Sequence, residues 1–185
     1  YAAMGRDIMS EEMIYQIAQD IYTHLELAAK DKEVEIAEYS CTWLGCLLTD
    51  TRSVFFQVGD GAIVRNDGTG FFVPVWWPEN GEYQNTTSFI TDDPNFANLK
   101  VLVLDEPVNE VALFTDGLQM LALNTEAQNV HQPFFTGMFT HLAKADDDEK
   151  VHLLNDKLAE YLNSKIINDR TDDDKTLVLA SRMAI

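Results

Sequence analysis

From residue 42 to residue 116 the chain passes through one short β-type segment after another, spaced too tightly for crossover helices. TWLGCLLTD, SVFFQVGD, AIVRND, GFFVPVWW, TSFIT, KVLVLD and EVALFTD are parted by turn signals such as Asp60-Gly61, Asn66-Asp67-Gly68 and Pro78 with Gly81. Parallel neighbours need a connection of about a dozen residues or more, so this spacing commits the sheets to largely antiparallel pairing. The flanks read differently. In residues 10–30, Ile14, Ile17, Ala18, Ile21, Leu25 and Ala28 follow a 3.6-residue period behind a candidate N-cap, Ser10, with Glu11 and Glu12 in the first turn. Residues 118–165 are again helical in character, and TLVLASRM closes the chain as a strand. Helix, many strands, helices, strand is the order of a layered α+β fold.

With 185 residues and 46% apolar content, the chain can bury one sizeable core, most simply as a single domain spanning 1–185. Charge narrows the partners. Thirty-one acidic against 13 basic residues give a formal net charge of −18, which repels nucleic acid and anionic membrane surfaces and suggests that bound cations relieve carboxylate repulsion. Cys41 and Cys46, read as lying on one strand, face opposite sides and stand roughly 16 Å apart, too far for a disulfide. Free, buried thiols and the lack of a long apolar run or signal-peptide pattern predict a soluble cytoplasmic protein. The chain opens on YAAMGRD with no start methionine, so upstream residues are expected to be missing.

Three aspartates share a local context. Asp60 follows SVFFQVG and precedes Gly61; Asp116 follows EVALFT and precedes Gly117; Asp173 stands just before KTLVLA. Each places a carboxylate at the mouth of an apolar strand. Carboxylates without His or Cys form a hard, all-oxygen donor set suited to Mg²⁺ or Mn²⁺, and two such ions can acidify a bridging water and clamp phosphoryl oxygens. Asp-Gly is equally the commonest hairpin dipeptide, and Asp67-Gly68 in IVRNDGTGFFV reads as such a turn. Residue pattern alone leaves both readings open.

Gly59-Asp60-Gly61, then Thr115-Asp116-Gly117-Leu118, then Asp173-Asp174-Lys175-Thr176-Leu177 resemble, in order and spacing, the metal-dependent protein phosphatases of the protein phosphatase 2C family. CTWLGCLLTDTRSVFFQVGDGAIV is similar to the family's paired central strands, and GEYQNTTSFIT and HQPFF to a compact bacterial branch. The resemblance implies a four-layer α-β-β-α sandwich of two antiparallel sheets flanked by helices. It implies two or more Mn²⁺ or Mg²⁺ ions at one end, and hydrolysis of phosphoserine or phosphothreonine in a phosphoprotein substrate by a metal-bridging hydroxide. A cognate serine/threonine kinase pathway follows as the partner. By position, Asp116 and Asp173 match direct metal ligands, Asp60 lines the centre, and Asp174, Gly61 and Gly117 support it. Asp172 has no counterpart and reads as solvated. The family's earlier Asp-Gly-x-Gly motif, whose aspartate bridges both metals, does not occur here. Its place, and that of the first strands, is expected upstream of Tyr1. Rival readings are a catalytically silent module that binds phosphoproteins and a hydrolase of small phosphoesters.

The remaining candidates read structurally. His24 is a helix boundary residue, His131 a loop-to-helix residue, and His141 and His152 lie on helix surfaces; none is assigned as general acid. Asp146-Asp147-Asp148-Glu149 suits a helix N-terminus. Residues 169–180 lack the glycine and glutamate of an EF-hand loop. Trp76 and Trp77 read as core packing beside a loop.

Overall fold

The structure, a computed structural model, describes residues 9–78 and 87–182. These fall into two compact units: residues 1–61 with 78–107, and residues 62–77 with 108–185.

The first unit begins with α1 (Glu11–Asp31), whose N-cap Ser10 accepts a hydrogen bond from the Met13 amide at 3.2 Å, as the sequence pattern predicts. Its sheet consists of β1 (Trp43–Leu48), β2 (Ser53–Val58) and β5 (Lys100–Leu104), antiparallel in the order β1-β2-β5. In β2, Val54, Phe56 and Val58 alternate onto the face that packs with Ile14 and Ala18 of α1. Ser53, Phe55 and Gln57 on the opposite face are buried as well. Two expectations fail here. TSFIT, at 87–91, forms no strand: Ser40 and Thr91 share a hydroxyl hydrogen bond and the Ile90 amide bonds the Cys41 carbonyl, so isolated contacts to the segment before β1 replace a ladder. Cys41 precedes β1 and is exposed, while only Cys46 lies in the strand, half-buried. Its thiol pKa is pushed up by burial. Both cysteines are free, as predicted, although Cys41 is not buried.

The second unit carries β3 (Ala62–Asn66), β4 (Phe72–Pro74), β6 (Glu110–Phe114) and β9 (Leu177–Ser181), in the antiparallel order β4-β3-β6-β9. The β3–β4 turn is the plain hairpin expected: the Asp67 carboxylate takes the amides of Thr69 and Phe71 and the Thr69 hydroxyl, and Gly68 has φ +84°. Over this sheet lie α3 (Gln132–Leu142), α4 (Asp148–Leu162) and α5 (Lys165–Asn168). Phe134, Phe135 and Phe139 of α3 meet Phe72 and Phe114 in a cluster of aromatic contacts, with Leu162 and Ile167 closing it. Trp77 packs against the same core. Asp147 caps α4 by accepting the Lys150 amide at 2.7 Å, with Asp148 and Glu149 in the first turn, which accounts for that acidic run. The stretch 118–165 is not wholly helical. After the short α2 (Gln119–Ala122), β7 (Leu123–Asn124) and β8 (Asn129–Val130) form a small hairpin, hidden in the sequence because each strand offers only two residues of pattern.

Antiparallel sheets with helices packed on them are the expected α+β class. No helix among the described residues is long and apolar enough to cross a membrane.

Candidate metal centre

Asp116 and Asp173 are brought to one place by strand pairing. β6 and β9 run antiparallel with Phe114 opposite Leu177, so Thr115 and Thr176, one step beyond, stand across from each other. Their contact is specific. The Thr115 amide donates to the Thr176 carbonyl at 3.2 Å, the Thr176 amide donates to Thr115 Oγ1 at 3.0 Å, and Thr115 Oγ1 donates to the Asp174 carbonyl at 3.4 Å. One hydroxyl thereby ties the loop before β9 to the turn after β6.

Asp116 opens a 3₁₀ turn, Asp116–Leu118, directly after this bridge. Gly117 is buried and lets the two loops close: a methyl group there would fall 2.3 Å from the Asp174 carbonyl oxygen and 3.2 Å from Asp173 Cβ. Asp116 and Asp173 are held alike. Asp116 Oδ1 accepts the Gly117 amide at 3.0 Å, and Asp173 Oδ1 accepts the Asp174 amide at 2.8 Å. Each carboxylate is thus oriented by the amide of the residue that follows it, and a carboxylate offers about four lone-pair positions in all. Asp172, Asp173 and Asp174 are all exposed, which agrees with a solvated Asp172. Lys175 sits at the foot of this acidic run, donating to Asn168 Oδ1 at 2.9 Å and to the Asp173 carbonyl at 3.4 Å.

Asp60 belongs to the first unit. Gly59, at φ +105°, makes the turn that presents it; a side chain at 59 would also strike Thr42, 2.3 Å away. Gln57, buried in β2, donates through Nε2 to the carbonyls of Gly59 at 3.0 Å and Gly61 at 2.7 Å, gripping the turn on both sides of Asp60. Its Oε1 has no hydrogen-bond partner among the described residues. Thr87 Oγ1 donates to Asp60 Oδ2.

The carboxylates were identifiable from sequence, but the residues that hold them were not. Thr115, Thr176 and Thr87 look ordinary in sequence, because their roles depend on pairing register. Gln57 did leave a signal, as the lone amide inside the apolar run SVFFQV. His131 is the N-cap residue of α3 without a side-chain cap bond; its Nδ1 meets the Leu121 carbonyl at 3.1 Å. His24, His141 and His152 are exposed.

The donor chemistry of Asp116 and Asp173 fits a hard divalent cation. It is a partial set: no group of three or more His, Cys, Asp or Glu among the described residues could hold a metal ion.

The sequence model of protein phosphatase 2C matches residues 3–163. The chain belongs to the protein phosphatase 2C family. Serine/threonine-protein phosphatase 3 of Escherichia coli (strain K12) is 38% identical over 174 residues, covering 94% of this chain and 66% of that relative. The chain therefore spans just under two thirds of that relative's length. Among solved structures, the serine/threonine phosphatase Stp1 of Staphylococcus aureus aligns with a TM-score of 0.58 at 17% identity, over 97% of this chain and 70% of that one. A bacterial serine phosphatase aligns with a TM-score of 0.58 at 15% identity, over 93% of this chain and 69% of that one. These likenesses establish the fold: a family phosphatase architecture of antiparallel sheets and flanking helices.

Proposed function

We propose that this protein phosphatase 2C chain removes phosphate from phosphoserine or phosphothreonine in proteins, using Mn²⁺ or Mg²⁺. The observation that carries the reading is the Thr115–Thr176 lock, which sets the Asp116 and Asp173 turns side by side. Asp116 and Asp173 are the residues that would hold metal. When bound, such ions lower the pKa of a shared water and neutralise charge building on phosphoryl oxygens.

The chain's own residues do the positioning. The Gly117 and Asp174 amides orient the two carboxylates, Gly117 permits their approach, and Thr115 keeps the loops from separating. Asp60, steadied within the first unit by Thr87 and by the Gln57-clamped turn, is the further carboxylate that the family resemblance implies. Asp174, Gly61 and Gly117 support it, and no protein nucleophile is required. The printed name of the Escherichia coli relative supports a phosphoprotein substrate, and such a substrate must be supplied by a protein kinase. Two free cysteines fit work in a reducing cytoplasm.

The test is Mn²⁺-dependent hydrolysis of a phosphothreonine peptide, a phosphometabolite and p-nitrophenyl phosphate by the native protein and its Asp116→Asn variant, with Mn²⁺ affinity measured by calorimetry. Peptide turnover that Asp116→Asn abolishes, together with weakened Mn²⁺ binding, is the expected result. Turnover of the metabolite alone would replace the substrate class. A folded native protein that binds the phosphopeptide without any metal-dependent turnover would overturn the enzyme reading in favour of a binding module.

A further inference from the structure

An open cavity of about 580 Å³ with mixed polar and apolar walls lies in the second unit, on segments that flank the turns carrying the candidate ligands. One wall comes from Met120 and Leu121, just after the Asp116 turn, and another is Arg170, just before Asp173; Asn124, Asn129 and His131 complete it. Met120 stands four residues after Asp116 and Arg170 three before Asp173, which ties the cavity to the candidate ligands along the chain.

Among the described residues, Arg170 is the only Lys or Arg on the wall. Three cations among the described residues are ion-paired: Arg52 with Asp105 at 2.8 Å, Lys165 with Asp169 at 2.7 Å, and Lys150 with Asp146 and Asp147. Arg170 makes no ion pair among the described residues. The acid beside it in sequence is already engaged, since both oxygens of Asp169 accept Lys165 Nζ, at 2.8 and 2.7 Å. Glu126 lines the same cavity but is not paired with Arg170. Asn124 and Asn129, which line the same cavity, carry neutral amide donors. A planar, permanently charged fork with neutral donors nearby suits a carboxylate.

We propose that this cavity is a substrate subsite in which Arg170 grips an aspartate or glutamate side chain flanking the phosphorylated residue. The inference rests on the protein phosphatase reading for its substrate. Arg170 is a specificity residue rather than a catalytic one, because it acts on a side chain remote from the bond that breaks.

The experiment uses phosphothreonine peptides identical except for Glu, Gln or Arg at each of the positions flanking the phosphoresidue. Two quantities are read: the ratio of kcat/KM between Glu and Gln peptides, and their affinities for the Asp116→Asn protein by fluorescence anisotropy. Native protein should favour a Glu peptide at one position or more by roughly three- to tenfold, the scale of a partly exposed charge-assisted pair. Arg170→Ala should bring the ratio to about one, and Arg170→Lys should leave an intermediate value through loss of the planar fork. Equal use of Glu and Gln peptides, a preference for Arg, or a Glu preference that survives Arg170→Ala would each overturn the proposal. If no peptide is hydrolysed, the enzyme reading fails separately, and the anisotropy ratio alone decides whether Arg170 recognises acidic residues.

Discussion

Replacing Gly117 by alanine isolates the role of close approach in the metal centre. Gly117 is not among the positive-φ glycines, so alanine meets no backbone penalty there. Only space is changed. The added methyl would lie 2.3 Å from the Asp174 carbonyl oxygen, where ordinary contact begins at 3.4 Å, so the loops must part by about 1 Å. The obstacle is backbone held by the Thr115 hydroxyl, not the end of a flexible side chain. Overpacking of this kind costs roughly 1–3 kcal/mol, which for a chain of this size lowers Tm by about 2–12 °C. The effect on chemistry should be larger, since a displacement of about 1 Å in reacting geometry can cost on the order of a hundredfold in rate. Calorimetric Mn²⁺ titration, thermal melts and phosphopeptide turnover measure the three effects. Gly68→Ala is the control: Gly68 has φ +84° with nothing within 4 Å, so it should lower Tm while Mn²⁺ affinity stays native. If Gly117→Ala kept native Mn²⁺ affinity and turnover, the two turns would not form one centre, and the reasoning from Gly117 would fail.

Thr115→Val should lower stability by about 0.5–1 kcal/mol, the net worth of the exposed hydrogen bond to the Thr176 amide, which water then takes up; denaturant melts with and without Mn²⁺ should show the stabilisation by metal reduced as well. Phe135→Ala empties a fully buried ring position at the centre of the aromatic cluster and should cost about 3–5 kcal/mol, detected as a fall in urea midpoint. Asp67 has its pKa lowered, chiefly by the Thr69 amide and hydroxyl, so its contribution is present above the usual aspartate value of 3.8 and disappears as pH falls through the lower folded value. Native protein should therefore be more stable than Asp67→Ala at pH 7, with the gap closing in melts as the pH is taken progressively below 3.8; a constant gap would refute the ionic account.

Much of this fold is legible in the sequence because period and turn chemistry act locally. Ser10, the α1 stripe, the Asp67-Gly68 hairpin and the Asp147 cap each follow from residues within one turn of one another. The same holds for Asp60, Asp116 and Asp173, whose strand-end positions come from the apolar runs beside them. Register-dependent features lie beyond such reading. Thr115 meets Thr176 across 61 residues of sequence, and no local rule distinguishes it from other threonines. TSFIT carries the composition of a strand, yet its neighbours satisfy its backbone through loop contacts instead. The β7–β8 hairpin escapes for the opposite reason, since two residues per strand are too few to show a period. Cys41 reads as part of β1 because the sequence has no boundary signal before Trp43, where pairing begins.

The pairing of β6 with β9 also governs when the centre can exist during synthesis. The Asp116 turn leaves the ribosome early enough to join β3 and β4, but its partner turn and β9 follow about 60 residues later. Until then β6 has one side of its ladder unfilled, and the Thr115 hydroxyl has nothing to hold. A growing polypeptide therefore carries Asp116 without the second carboxylate of its unit, and any metal-dependent stabilisation waits for β9 to emerge and pair.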